Sequence, residues 1–328
     1  MQFKKYNEQD ITAEKKQNKD ELVDITDWNV NDEILPYQEG KREKNIINCP
    51  EKPPFAFLIP KHAYLFKQSN KNFPWQCWME IIAFRLGLLM QVPVPAVFIS
   101  VDTNRTIIGA LIEWFHNYPG EPREEYVHGG DLFLKLNPDY NRKKGTQHNL
   151  MELIQIINEQ HDLVQNWPEH WAKVFCFDTL IGNTDRHQDN WGMIRNDGRK
   201  YFSPAFDNGT ALGHEILEEN LDKKCSLPEI EKYISGEKAR HHIKWTRDGK
   251  KIKHFELLDE LIKQYPDMKK YMQQSLEFSI DSFTQEIQVL LEISATISPP
   301  YARLSNKRAE FIIELIKHRK TKAQEILR

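Results

Sequence analysis

Asp178-Thr-Leu-Ile-Gly182-Asn-Thr-Asp185-Arg-His-Gln-Asp-Asn190-Trp-Gly-Met-Ile194, continued by Phe206-Asp207-Asn208-Gly209, is the stretch that decides the fold. Trp191 to Arg195 is apolar enough for a short strand, Asn196-Asp197-Gly198 is a strong hairpin-turn signal, and Lys200 to Phe202 with Ala205-Phe206 reads as the returning strand. The hairpin folds Asp207 back beside Asn190, while Asp185 lies in the loop that leads in. One polar loop and two strand ends therefore converge on a single point. Hard cations such as magnesium take carboxylate and amide oxygens and leave their other positions to water and phosphate oxygens. Asn190 with Asp207 is a sparse ligand pair, which suits a triphosphate that supplies the rest.

Working back toward the N-terminus, Glu169 to Ile181 has a helical apolar face ending at Gly182-Asn183, and delivers the chain straight into Asp185. Leu150 to Ile157 predicts an earlier helix. Before it the character is different. Leu22 to Thr26, Asn45 to Asn48, Phe55 to Ile59 and His62 to Phe66 are expected strands, and Ala96 to Val101 with Ile107 to Ile112 an antiparallel pair. Lys67 closes the run Ala63-Tyr-Leu-Phe66, and Glu80 sits in a helix expected over Trp75 to Met90, one helical step from its apolar face. A strand lysine followed by a helix glutamate is the pair many kinases use to orient the α- and β-phosphates. Glu39-Gly40-Lys41-Arg42, a glycine turn rich in cations, lies over phosphates in some proteins and is a plain solvated hairpin tip in most.

Glu113-Trp114-Phe115 ends the strand-rich third. Backbone groups at such a crossover can pair with an adenine edge, and the two aromatics serve equally well as core. Downstream of Asp207, helices are expected over 229–235, 255–265, 268–277, 279–293 and 307–326. The fold class is therefore α+β in two lobes: a mobile arm over residues 1–20, a small strand-rich N-lobe over 21–115 and a larger helical C-lobe over 116–328.

The totals narrow the partners. With 45 basic and 48 acidic side chains the net charge is −3, which gives no whole-chain reason for nucleic-acid or membrane binding. The longest apolar run, from Ile81 to Ile99, is interrupted by Arg85, Gln91, Pro93 and Pro95, and falls short of the roughly 18 residues of a membrane span. No secretory signal is visible, so a soluble cytoplasmic protein is expected, with a non-classical route out of the cell left open. Cys49, Cys77, Cys176 and Cys225 have neither zinc-cluster nor redox-pair spacing.

Taken together, the residues resemble the HipA-like branch of the protein-kinase-like fold, from about residue 22 to the end. The resemblance is carried by Tyr64-Leu-Phe-Lys67, by Glu80 with Arg85-Leu-Gly87, by the loop 182–190 and the turn 206–209, and by Tyr233-Ile234 with His241-His-Ile-Lys-Trp245. It implies a bilobal serine/threonine kinase that uses ATP and Mg2+. Asp185 would take or orient the proton of an attacking hydroxyl, Asn190 and Asp207 would hold the metal, Lys67 fixed by Glu80 would contact the phosphates, and the Gly40 turn would cover the nucleotide. It also implies a protein substrate, autophosphorylation and, as is frequent in the family, a toxin's antitoxin-type partner. Two departures stand out: Tyr37 to Arg42 has none of the serines that some members phosphorylate to silence themselves, and Asn208 replaces the aromatic of an Asp-Phe-Gly turn.

Two rivals share these residues. Phosphoinositide-type lipid or small-molecule kinases also place Asp-Arg-His before the Asn, but the segment after Asp207 carries Glu215, Glu218, Glu219 and Asp222, which repel a phosphorylated head group. A nucleotide-binding scaffold without turnover would not need competent residue types at every catalytic position. His128-Gly-Gly-Asp131 has the look of an oxyanion loop, yet no Gly-x-Ser-x-Gly turn accompanies it. His241-His242 is expected to be a packed or solvated pair, and His187 to brace the catalytic loop rather than share in proton transfer.

Overall fold

The computed structural model describes residues 15–31, 43–104, 106–298 and 300–328. The expected Gly40-Lys41 turn lies outside them. Six strands, β1 (Val23–Asp24), β2 (Asn29–Val30), β3 (Lys44–Asn48), β4 (Ala63–Gln68), β5 (Val97–Asp102) and β6 (Ile107–Glu113), form one sheet in the order β1-β5-β6-β4-β3-β2. Only the β1–β5 pair is parallel. Helix α1 (Gln76–Met90) is inserted between β4 and β5 and is buried on nearly every face. Its cause is position: the sheet covers one side, and α4 (Trp167–Ile181) and α9 (Ile280–Ala295) cover the other. A helix enclosed in this way loses its polar stripe, so its charges must be paired inside. Glu80 meets Lys67, and Arg85 meets Glu286 at 2.8 Å.

A second sheet of three strands holds β7 (Glu125–His128), β8 (Gly192–Asn196) and β9 (Arg199–Phe202). Its tight turn sets Asp197 at φ 47° and Gly198 at φ 75°, the left-handed pair that a two-residue hairpin loop requires. The remaining helices are α2 (Gly129–Leu136), α3 (Leu150–Asn158), α5 (Leu221–Lys224), α6 (Leu227–Ser235), α7 (His254–Gln264), α8 (Met268–Ser275) and α10 (Asn306–Ile326), with a small hairpin of β10 (Arg240–Lys244) and β11 (Lys251–Lys253) between α6 and α7. Helix α4 is their hub, packing on α7, α8 and α10. Strands gather in the first third and helices in the rest, yet one hydrophobic core runs through both, from Val23 to Leu327.

Three expectations are corrected. Phe55 to Ile59 forms turns instead of a strand, because Pro53-Pro54 before it and Pro60 after it deny it a continuous ladder. Its apolar side chains still enter the core, and Ile59 donates its amide to the Tyr64 hydroxyl at 3.0 Å. The arm expected to be mobile is docked from Lys15 onward. Gln17 is buried with its amide bonded to both the N–H and the C=O of Ile99, and Lys15 pairs with Glu113 at 2.7 Å. The helical remainder carries a second hairpin, β10–β11, beside the expected one. No helix among the described residues is long and apolar enough to cross a membrane.

Candidate active site

Lys67 lies near the end of β4, in register with Lys44 of β3 and Ala110 of β6, and its side chain is turned inward. Its ammonium, 6% exposed, is 2.9 Å from Glu80 Oε1 and 2.6 Å from Asp207 Oδ1. Glu80 is doubly employed, since its Oε2 accepts the Asn208 amide at 2.8 Å. A strand, a helix and the turn after β9 are thus locked by one lysine and one glutamate. Asp207 itself sits at φ 57°, a conformation that Asp tolerates better than most residues, and its carboxylate is one-third exposed at the cleft.

The loop between α4 and β8 is shaped by two devices. Gly182 caps α4 in the left-handed region at φ 67°, and Asn183 turns the chain by accepting the Asp185 amide at 2.9 Å. Arg186 then plunges inward. Its guanidinium donates to both oxygens of Asp178, at 3.0 and 2.8 Å, to the carbonyls of Asn190 and Phe206, and to Asn208 Oδ1 at 2.7 Å. Burial alone would raise the Asp178 carboxyl, but Arg186 and His241 outweigh it and hold it at about 2. Sequence reading assigned no role to Arg186, Asp178 or Asn208. The available signal was an aspartate in the otherwise apolar run from Val174 to Ile181.

With Arg186 below, His187 is left on the cleft wall, while Asp185, half-buried on the same loop, is not among the residues that line it. Burial pushes the Asp185 carboxyl up, and the Asp207 carboxylate adds to this while His187, Lys251 and Lys67 oppose it. Asn190 donates its side-chain N–H to the Asp185 carbonyl at 2.7 Å, which orients the amide and commits its oxygen elsewhere. His187 accepts the Asp189 amide on Nδ1 at 3.1 Å, a bracing contact that places the ring proton on Nε2. Lys67, His187, Asn190 and Asp207 line one cleft. Both Glu80 oxygens are taken by Lys67 and the Asn208 amide, and no group of three metal-binding His, Cys, Asp or Glu side chains is present among the described residues. The one-third-exposed Asp207 carboxylate and the Asn190 amide on the same cleft are hard oxygen donors of the kind magnesium takes when a triphosphate supplies the rest.

Glu113, Trp114 and Phe115 form the cleft's opposite wall. The Glu113 carboxylate points away, to Lys15 and to the Tyr118 hydroxyl at 2.7 Å. Trp114 gives its amide to Ala63 and receives His62 Nε2 on its carbonyl at 2.6 Å, so both groups are engaged within the protein. Phe115 stacks on Phe206, tying this wall to the Asp207 turn. His241 is fully buried against Asp178, and His242 leans on His187 with ring centroids 5.9 Å apart.

A family model described as the HipA-like C-terminal domain matches residues 39–277. The serine/threonine-protein kinase CtkA of Helicobacter pylori is 36% identical over 139 residues, which cover 42% of this chain and 40% of that kinase's length. The crystal structure of the Helicobacter pylori proinflammatory kinase CtkA superposes with a TM-score of 0.72 over 93% of this chain and 96% of that one, at 19% identity. The Shewanella oneidensis toxin–antitoxin complex of HipA, HipB and operator DNA gives 0.51 over 89% and 67%, at 15% identity. At such identities the superpositions speak for a kinase-like fold and for nothing finer. The family model covers most of the chain, including Lys67, the Asp185 loop and the Asp207 turn, and the chain belongs to the family of HipA-like C-terminal domains.

Proposed function

We propose that the chain is an ATP- and magnesium-dependent phosphotransferase, a HipA-like protein serine/threonine kinase that moves the γ-phosphoryl group of ATP to a protein hydroxyl and to itself. The observation that carries this reading is the ion-paired trio of Lys67, Glu80 and Asp207 on the same cleft as the Asp185 loop. Phosphoryl transfer asks little covalent work of a protein; it needs positioning and compensation of negative charge. Lys67, held by Glu80, would bind α- and β-phosphate oxygens. Asn190 and Asp207 would hold magnesium, which when bound neutralises triphosphate charge. Asp185 would orient the acceptor hydroxyl and take its proton, and a carboxyl shifted upward by burial is a better proton acceptor than a solvated one. His187, with Nδ1 occupied, would brace the loop.

The similarity to CtkA supports a protein acceptor over a lipid one. The likeness to a complex containing HipB supports a small antitoxin-type partner as part of the same proposal. The test is transfer from labelled ATP, with magnesium, to the chain itself and to a cell lysate, for the unsubstituted chain and Asp185→Asn. Nucleotide binding should persist in the variant while transfer falls by about 10²-fold or more. Labelling of phosphoinositide vesicles in place of protein, or no transfer by the unsubstituted chain, would sink the reading.

A further inference from the structure

The catalytic loop brings no free cation to the reacting centre. Between Asn183 and Asn190 its one Arg or Lys is Arg186, and that guanidinium is fully buried and spent on Asp178, Asn208 and two carbonyls. The residue two places after Asp185 is His187, an imidazole whose Nδ1 accepts a backbone amide and so is not protonated there. Lys67 is already shared by two carboxylates. Transfer of a phosphoryl group nevertheless spreads negative charge over three equatorial oxygens, and a site that performs it needs a cation aimed at them.

The second hairpin supplies one from elsewhere in the chain. In β10 the burial alternates, with His241 and Ile243 in the core and His242 and Lys244 on the other face. Lys251 of β11 is the register partner of Lys244 and so shares that face. The face meets the catalytic loop at His242, whose ring lies 5.9 Å from that of His187, and β10 is held there by the Lys244 amide, which donates to the His148 carbonyl ahead of α3 at 3.1 Å. Arg240 fixes the Lys251 backbone by donating to its carbonyl at 2.6 Å. The Lys251 ammonium makes no hydrogen bond or ion pair among the described residues, and Asp185 is the carboxylate whose charge it feels. Lys251 is exposed to solvent, so its ammonium is open to the oxygens of a ligand on the face of the hairpin that meets the loop.

We propose that Lys251 is a further catalytic residue, delivered by the β10–β11 hairpin, whose ammonium contacts the oxygens of the phosphoryl group in transfer. The inference rests on the phosphotransferase reading above. In the step it serves, the acceptor oxygen forms its bond to the γ-phosphorus as the bond from that phosphorus to the β–γ bridging oxygen breaks. The electron pair leaves with ADP, and the hydroxyl proton passes to Asp185. Lys251 remains an ammonium throughout and compensates the charge on the equatorial oxygens.

The experiment compares the unsubstituted chain with Lys251→Met, Lys251→Arg, Asp185→Asn and Lys250→Ala, measuring kcat, acceptor KM, ATP affinity and melting temperature. Lys251→Met should lower kcat by about 10²–10³-fold, as loss of one preorganised donor does elsewhere, with ATP affinity, acceptor KM and melting temperature unmoved. Lys251→Arg should recover part of the rate, and Lys250→Ala, one residue away, should retain all of it. An unchanged kcat in Lys251→Met overturns the proposal, and so does a loss confined to acceptor KM, which would make the lysine a recognition group. If the unsubstituted chain transfers nothing, the phosphotransferase reading falls and this proposal with it. If that chain is active, Asp185→Asn is dead and Lys251→Met runs at the full rate, the lysine proposal falls alone.

Discussion

Arg186 does more to hold the site than any residue that faces the cleft. Between Asp185 and His187 it reaches inward, and its guanidinium joins α4, the end of the loop and the Asp207 turn through Asp178, Asn190, Phe206 and Asn208. Arg186→Met would leave Asp178 fully buried with only His241 and a long Asn183 amide contact as side-chain partners, and removing one member of a buried pair costs roughly 3–5 kcal/mol. Denaturant unfolding should show a loss of that size, and Arg186→Lys, which lacks the planar fork, should recover little of it. Coupling to Asp178→Asn in a double-mutant cycle separates the ion pair from the packing, and a loss below about 1 kcal/mol would refute the clamp. The oxygen-bearing residues of this loop were legible from their spacing, whereas the clamp was not. Its partners stand at positions 178, 190, 206 and 208, and no local pattern reveals that helix, loop and turn meet there. The Lys67–Glu80 pair was legible, but the enclosure of its helix was not, for a related reason: the helix has one apolar face in isolation, and α4 and α9 cover the face that solvent would have wetted.

Among the secondary elements, α4 decides where the loop begins. Gly182 ends it at φ 67°, and a β-carbon there would lie 2.7 Å from the Arg319 guanidinium. Arg319, on α10 and almost fully buried, donates to the Thr179 carbonyl at 2.7 Å, so the last turn of α4 is held by a residue from the far end of the chain. Gly182→Ala should cost about 1–2 kcal/mol for the left-handed backbone alone and more as Arg319 is displaced. Transfer should fall with it, since Asp185 follows three residues on. A variant with the parent's unfolding midpoint would contradict this account. The helix, its glycine stop and the Asn-Asp-Gly hairpin were all readable, because periodicity and turn chemistry are local. The β10–β11 hairpin was not. Arg-His-His-Ile-Lys has one face of charge and imidazole, and its place is set by pairing with residues 148 to 151, which only the folded chain supplies. Helix α2 hid behind Gly129-Gly130, poor helix formers that are held by the carbonyls of Trp191 and Gln188.

Across the whole molecule, the core's burden of histidine sets how stability depends on pH. Burial lowers His116 to about 4 and His170 and His242 to about 3, and takes His148 and His254 well below their ordinary value. Unfolding returns each to about 6.5, so between that pH and its folded value the unfolded chain binds protons that the folded chain refuses. Stability is then fullest above about pH 6.5 and declines as the pH falls, with a slope of up to ~1.4 kcal/mol per pH unit for each such histidine. Asp178, depressed to about 2, adds a further loss only below its unfolded value near 4. Net charge and composition could not have foretold this, because histidine count says nothing of which rings are enclosed. Urea midpoints measured from pH 7.5 to 5 should fall steadily, and the accompanying proton uptake on unfolding should exceed one per molecule by pH 5. Substituting His170, which stacks on Phe202 in the core, by Phe should flatten part of the slope. A midpoint constant across that range would mean that these rings are hydrated in the folded protein and that the core is looser around α4 than its packing implies.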